Sequence, residues 1–159
     1  MSRLSLTGKL LVICGTFTVT NAEEGKIDFE KQIYPILENS CVSCHKAPYV
    51  KKGRTRPTKP KADLRFDAAF GIVQGGDNGA VVVPKDAAKS SLLQRTILDE
   101  DHDDFMPPKG DVLTDAQKEL VKRWIEEGAD FGGWKGNEDG KPEDAKVAFE
   151  YGVTTTSMP

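Results

Sequence analysis

The chain of 159 residues is long enough for one domain with a hydrophobic core, and 38% hydrophobic and 30% charged residues are typical of a globular protein. Its formal net charge of −3 argues against a nucleic-acid-binding protein, which would normally be basic. Aromatic residues make up only 8% of the chain, so a large apolar cofactor could supply part of the core.

Residues 1–22 have the pattern of a cleaved secretory signal. Arg3 and Lys9 give a basic start, residues 10–19 form a short apolar run, and residues 20–22 are a tolerable cleavage site. An uncleaved anchor is the alternative, but the apolar run has only about half the length that spans a bilayer. We expect a periplasmic or secreted protein with no membrane span after cleavage, consisting of a domain at 23–134 and a polar tail at 135–159.

The segment that leads to Cys41 is predicted to be a helix. Asp28 is a suitable N-cap residue. Four apolar residues then fall on one helical face: Phe29, Ile33, Ile36 and Leu37. Pro35 should kink or shorten this helix because it has no backbone N–H to donate.

The pentapeptide CVSCH, Cys41 to His45, carries the strongest chemical signal. Cys14 falls within the signal, so Cys41 and Cys44 are the cysteines of the exported chain. A redox disulfide would need a preceding strand, which the sequence does not predict. A zinc site would need two further ligands, and the only other histidine is His102. The third interpretation is covalent attachment of haem c, for which C-x-x-C-H is the known spacing.

The haem interpretation explains all three reactive side chains. Two thiols on one helical turn can add to the two vinyl groups of one porphyrin, and the adjacent imidazole can then bind the iron as its proximal ligand. We therefore predict one covalent haem c attached to Cys41 and Cys44, with His45 on the iron.

Residues 46–61 form a predicted loop with seven basic residues, three prolines and no acidic residue. A solvated surface loop is the simplest interpretation. The alternatives are a docking surface for a redox partner beside the haem edge and a cover for the haem propionates, because Arg and Lys pair well with carboxylates. The candidate contacts are Lys51, Lys52, Arg54 and Arg56.

A short helix is predicted at residues 68–73, ending at Gly75. Three apolar residues in and before it are candidates for the core or for the wall of a haem pocket: Leu64, Phe66 and Phe70.

Two further helices are predicted. One begins near Ser90 and buries one face: Leu92, Leu93, Thr96 and Ile97. The other opens at Thr114 with Gln117 three residues later, which is a capping box, and stops at Gly128. Its apolar stripe consists of Leu120, Val121, Trp124 and Ile125, with Trp124 expected to pack against the first helix.

The stretch DHDDFMPPKG, residues 101–110, offers two candidates for the distal ligand. Met106 has a soft, apolar thioether that suits a dry pocket. Pro107 and Pro108 stiffen its loop, and Pro107 is also a candidate wall residue. His102 lies among carboxylates whose burial would be costly. We predict Met106, with His102 and an open or water-bound site as alternatives.

After Trp134 the sequence becomes polar and turn-rich, and residues 148–159 have weak strand character. We expect a tail that is laid on the domain or partly disordered. A docking strand for a partner is the alternative, and Met158 is not expected to reach the iron.

Four stretches together resemble the planctomycete/verrucomicrobial-type cytochrome c domain, a class I-type cytochrome c: IDFEKQIYPILENSCVSCH, ADLRFDAAFGIVQGGDNGAVVVP, KSSLLQRTI and DFMPPKGDVLTDAQKELVKRWIEEGADF. They cover about residues 27–131. The resemblance implies an all-α, cytochrome c-like fold of short helices packed around one haem c, with His45 proximal and Met106 distal. The basic insert at 46–61 is longer than in many relatives, which leaves the choice of partner open.

The expected function is electron transfer between redox partner proteins rather than catalysis, because His/Met ligation fills both axial positions of the iron. One alternative is a peroxidase-like enzyme or gas sensor with a labile Met106. Another is a docking module in which the haem mainly completes the core. The sequence carries no signal for the oligomeric state.

Overall fold

The computed structural model describes residues 25–149, so the predicted signal at 1–22, the final residues from 150 and Met158 lie outside the described chain. A π-helical turn at Phe29–Ile33 continues into α1 at Tyr34–Ser40. The other α-helices are α2 at Ala69–Gln74, α3 at Ser91–Thr96 and α4 at Asp115–Glu126, with short 3₁₀ turns at Lys61–Asp63 and Ala87–Lys89.

Regular secondary structure in residues 25–149 is helical, as predicted for an all-α domain. Three isolated β-bridges are the only extended pairings in this range: Tyr49 with Thr58, Ala68 with Gly136, and Gly76 with Gly79. Among the same residues, no helix has the length and apolar character to cross a bilayer.

The first helical segment begins at the predicted cap and changes type where the proline lies. The Asp28 Oδ1 atom accepts a hydrogen bond from the Lys31 N–H at 3.1 Å. Pro35 is in the first turn of α1, directly after the π-helical turn. The predicted distortion is therefore a switch from π to α geometry, and α1 still delivers Cys41 at its C-terminal end.

The longest helix, α4, packs against the start of this segment. Gln117 N–H donates to Thr114 Oγ1 at 3.3 Å and Thr114 N–H donates to Gln117 Oε1 at 2.9 Å, which confirms the predicted capping box. Trp124 is 1% exposed, and its ring centroid lies 5.1 Å from that of Phe29. The expected packing of Trp124 against the first helical segment is thus confirmed.

The predicted inner face of α3 is correct except at its end. Leu92, Leu93 and Thr96 are buried, but Ile97 is 53% exposed because the helix has already ended at Thr96. Ser90 occupies the N-cap position without capping the helix. Its hydroxyl instead bonds the backbone of Val83 and the carbonyl of Asp86.

Candidate functional site

The pentapeptide Cys41–His45 forms a tight turn directly after α1. The N–H groups of Cys44 and His45 both donate to the Cys41 carbonyl, at 3.2 and 3.1 Å. Cys41 is half-buried against the core, Cys44 is exposed, and both are free thiols. Burial, with a smaller effect of Cys44, raises the pKa of the Cys41 thiol to about 12, so this thiol is neutral at neutral pH.

The hydrogen bond of His45 fixes the tautomer of its imidazole. The Nδ1 atom lies 2.9 Å from the Lys61 carbonyl oxygen. Because a carbonyl can only accept, Nδ1 carries the proton and Nε2 keeps its lone pair. Burial lowers the pKa of His45 below its ordinary value, so the ring is neutral at neutral pH. This is the form of histidine that binds a metal.

The backbone on both sides of His45 is held by the last residue of the basic loop and by a residue that follows the loop. Lys61 N–H donates to the Cys44 carbonyl at 3.0 Å, and Phe66 N–H donates to the His45 carbonyl at 2.8 Å. Sequence reasoning considered Lys61 only for its charge and missed these contacts, because the partner that a backbone group will find has no local sequence signature.

The Met106 segment lies beside the segment that carries the cysteines. Met106 is half-buried, and its N–H donates to the Arg95 carbonyl at 2.9 Å. It is followed by a cis peptide bond to Pro107, which is buried. Ser40 Oγ donates to the Asp111 carbonyl at 3.0 Å, and this bond joins the end of α1 to the chain just after Met106.

The alternative ligand His102 is exposed. Its Nδ1 atom accepts a hydrogen bond from the Asp104 N–H at 3.0 Å, and Asp104 also forms an ion pair with Arg95 at 2.9 Å. His102 therefore takes part in a local turn at the surface, within an acidic stretch that is exposed from Asp101 to Asp104.

The basic loop is a small hairpin closed by the bridge between Tyr49 and Thr58. The four basic residues predicted as contacts are all exposed, and none of them makes an ion pair with a residue in 25–149: Lys51, Lys52, Arg54 and Arg56. Tyr49 is 38% exposed and Val50 is 58% exposed, so apolar surface lies among these charges.

All four predicted wall residues are buried, with exposures of 8% for Leu64, 4% for Phe66 and 3% for Phe70, and Pro107 is buried as well. Phe66 meets the His45 ring edge-on at 5.5 Å between centroids. Phe70 instead lies 4.8 Å from the guanidinium carbon of Arg65. A role of these side chains as a haem wall stays a prediction, with Phe66 the member that touches the histidine.

The residues present fit the chemistry of haem c attachment. Two free thiols and a neutral imidazole with an available Nε2 atom lie within Cys41–His45. The zinc alternative finds no ligand set in residues 25–149, where no group of three or more His, Cys, Asp or Glu side chains could hold a metal ion. The redox-disulfide alternative required a strand, but helix α1 precedes Cys41.

Comparison with known families agrees with this chemistry. Residues 41–110 match the family model described as Planctomycete cytochrome C, and this range runs from the first cysteine of the pentapeptide past Met106. No curated protein and no solved structure matches the chain. This match supports a planctomycete-type cytochrome c domain at residues 41–110.

Proposed function

We propose that the protein is a periplasmic or secreted monohaem cytochrome c that carries single electrons between redox partner proteins. The observation that carries the proposal is the state of His45. Its Nδ1–H donates to the Lys61 carbonyl, which leaves Nε2 with its lone pair, and two free thiols lie in the same pentapeptide. When bound, haem c supplies one iron that gains and loses a single electron. Export by the signal at 1–22 would leave Glu23 as the first residue, and N-terminal sequencing of the exported protein tests this.

Covalent attachment is the part of the proposal that is tested first. The protein is produced in cells that mature c-type cytochromes, extracted with acidified acetone and assayed as its pyridine haemochrome. We expect the haem to stay with the protein, and the Cys44→Ala variant to have a spectrum that indicates one remaining thioether. Ser43→Ala, in the same turn, is the matched control and should resemble the wild type. Complete loss of haem from the wild type would refute the proposal.

Met106 is the proposed distal ligand, opposite His45. Its support is the backbone bond to Arg95, which fixes Met106 to α3, and the Ser40–Asp111 contact, which joins the chain just after Met106 to the end of α1. A thioether can enter a dry pocket without the desolvation of a charge.

Two variants separate Met106 from His102. Met106→Ala should abolish the weak far-red band of the ferric protein that reports methionine sulfur on iron, whereas His102→Ala should retain it. The assignment is wrong if the band is absent in the wild type or survives in Met106→Ala.

An electron carrier and a gas-binding or peroxidase-like protein differ in their access to the iron. With Met106 and His45 both bound, the ferrous protein should resist carbon monoxide, and Met106→Ala should bind it rapidly. Fast, complete binding by the wild type would favour the alternative function.

The basic hairpin is the proposed docking surface for the redox partner. Residues 46–61 contain seven of the 22 basic residues of the chain and none of its 25 acidic residues. Apolar Tyr49 and Val50 lie exposed among these charges, which suits a partner with an apolar patch inside an acidic rim.

Charged small-molecule oxidants test the hairpin before a partner is known. Replacing Lys51 and Lys52 with glutamate should slow oxidation by the ferricyanide anion, most strongly at low salt, and accelerate oxidation by a cationic cobalt complex. Lys89→Glu is the control, because Lys89 is also exposed but lies outside the hairpin, where it pairs with Asp86. Equal effects of the two variants would remove the hairpin from the electron-transfer surface.

A further inference from the structure

A buried ion pair, Arg65 and Asp67, lies about twenty residues after His45 in the sequence. Arg65 and Asp67 are only 8% and 6% exposed. Arg65 Nε donates to Asp67 Oδ1 at 2.9 Å, and Nη2 donates to Oδ2 at 3.1 Å. This two-bond arrangement is the strong, orientation-specific form of an Arg–carboxylate pair.

The C-terminal segment 135–139 supplies the remaining partners of this pair. Arg65 Nη1 donates to the Asp139 carbonyl at 2.6 Å and Nη2 donates to the Asn137 carbonyl at 2.9 Å. The Asn137 side-chain amide donates to Asp67 Oδ2 at 3.2 Å. Buried charges are tolerated when their hydrogen-bonding groups are satisfied, so the pair and the segment depend on each other.

The backbone of this segment is also fixed in one register. Ala69 N–H donates to the Lys135 carbonyl at 3.0 Å, and Asn137 N–H donates to the Asp67 carbonyl at 2.7 Å. Gly136 lies between them at φ +67°, where a Cβ atom would lie 2.4 Å from the Asp67 carbonyl oxygen. Residues 135–139, the first part of the predicted polar tail, are bonded to the interior of the domain.

Asp67 connects this segment to the residues around His45. Its Oδ2 atom accepts a hydrogen bond from the Ala47 N–H at 3.0 Å, and Ala47 is buried two residues after His45. The neighbouring Phe66 N–H holds the His45 carbonyl at 2.8 Å. A displacement of Asp67 would therefore reach the backbone on the C-terminal side of the histidine.

We propose that Arg65, Asp67 and residues 135–139 form a C-terminal clamp that positions His45. The clamp acts through the Ala47 amide, so its members are positioning residues. Its importance for the iron rests on the proposed function, in which His45 is the proximal ligand. Residues 135–139 lie outside the range 41–110 that matches the family model, so this support of the site is a feature of the chain beyond that match.

Loosening the clamp tests its effect on the chain and on the iron separately. Asn137→Ala removes one bond to Asp67, and Gly136→Ala displaces the segment because the new Cβ atom meets the Asp67 carbonyl. We expect hydrogen exchange at the Ala47 amide to accelerate at least tenfold. In the haem-loaded protein we expect a shifted midpoint potential and displaced hyperfine-shifted ring-proton resonances of the axial histidine.

Thr114→Ala is the matched control, because it destabilises the domain at the α4 cap without touching the clamp. It should leave the potential and the histidine resonances at their wild-type positions. The clamp is refuted if both clamp variants leave Ala47 exchange and the histidine resonances unchanged, or if Thr114→Ala changes them equally. If the wild type holds no covalent haem, the proposed function fails, while exchange at Ala47 still supports or refutes the clamp.

Discussion

Replacement of Gly71 by alanine should destabilise the domain, against the usual preference of helices for alanine. Gly71 lies inside α2, where alanine would by propensity alone stabilise by about 1 kcal/mol. However, the new Cβ atom would lie 2.5 Å from Arg65 Cβ and 2.8 Å from the Arg65 carbonyl oxygen. Neither atom can be moved by a rotamer change, because the first is joined to the main chain and the second is part of it.

The magnitude follows from the difference between these two effects. Overpacking of a fitted interior costs about 1–3 kcal/mol, and Arg65 is additionally held by its bonds to Asp67 and to two carbonyls of the C-terminal segment. We therefore expect a net loss of up to about 2 kcal/mol in the free energy of unfolding.

Urea unfolding of the Gly71→Ala variant and the wild type measures this loss directly. Gln74→Ala is the control, since Gln74 is exposed at the end of the same helix and should lose little stability. A Gly71→Ala variant more stable than the wild type would refute the reasoning, because it would mean that α2 does not pack closely on Arg65.

Three further predictions concern α4 and the residues at its two ends. Trp124→Phe should cost about 1–2 kcal/mol in urea unfolding, because it removes the 2.8 Å bond from Trp124 Nε1–H to the Asp130 carbonyl, and an unchanged midpoint would contradict this. The hydrogen bond from Lys26 holds the pKa of the Asp130 carboxyl below 3.8, so its contribution is present above about pH 4 and lost as pH falls further. Asp130→Asn should therefore lower the free energy of unfolding at neutral pH by no more than about 1 kcal/mol, because the pair is exposed, and should match the wild type in acid. A constant difference across pH would count against the pair. Thr114→Ala should lower the free energy of unfolding by about 1 kcal/mol, because the capping box with Gln117 is lost. Thermal melting followed by circular dichroism measures this loss, and an unchanged melting temperature would contradict it.

The features that could be predicted from sequence are those determined by a few neighbouring residues. The Asp28 cap and the Thr114 capping box involve partners three residues apart, and α2 ends at Gly75, whose φ of +80° few other residues adopt. The CVSCH pentapeptide is likewise complete within five residues. Such signals depend only on residues that are close in sequence, so they can be recognised without the tertiary structure.

The features that escaped prediction join residues distant in sequence through backbone groups. A backbone carbonyl accepts the hydrogen bond of His45, and two others accept those of Arg65. Every residue has such a carbonyl, so the residue type does not indicate which one will be used. Asp67 and Asn137 are polar residues of ordinary loop composition, and only the folded chain brings them together. Ile97 was wrongly assigned to the buried face of α3 for a different reason. The spacing of apolar residues continues to Ile97, but the helix ends at Thr96.

The basic hairpin is closed at its base by the contacts that hold the histidine. The Lys61 N–H donates to the Cys44 carbonyl, and the Lys61 carbonyl bonds His45 Nδ1. The loop that carries the exposed positive charges therefore begins and ends at the same point of the fold. Doubling the length of such a closed loop adds only about 0.6 kcal/mol of closure entropy. The length and the charge of the hairpin can therefore change during evolution with little effect on the hydrogen bond that orients the His45 imidazole. Under the proposed function, partner docking by the hairpin and iron ligation by His45 are therefore separately variable traits, although only a few residues separate them along the chain.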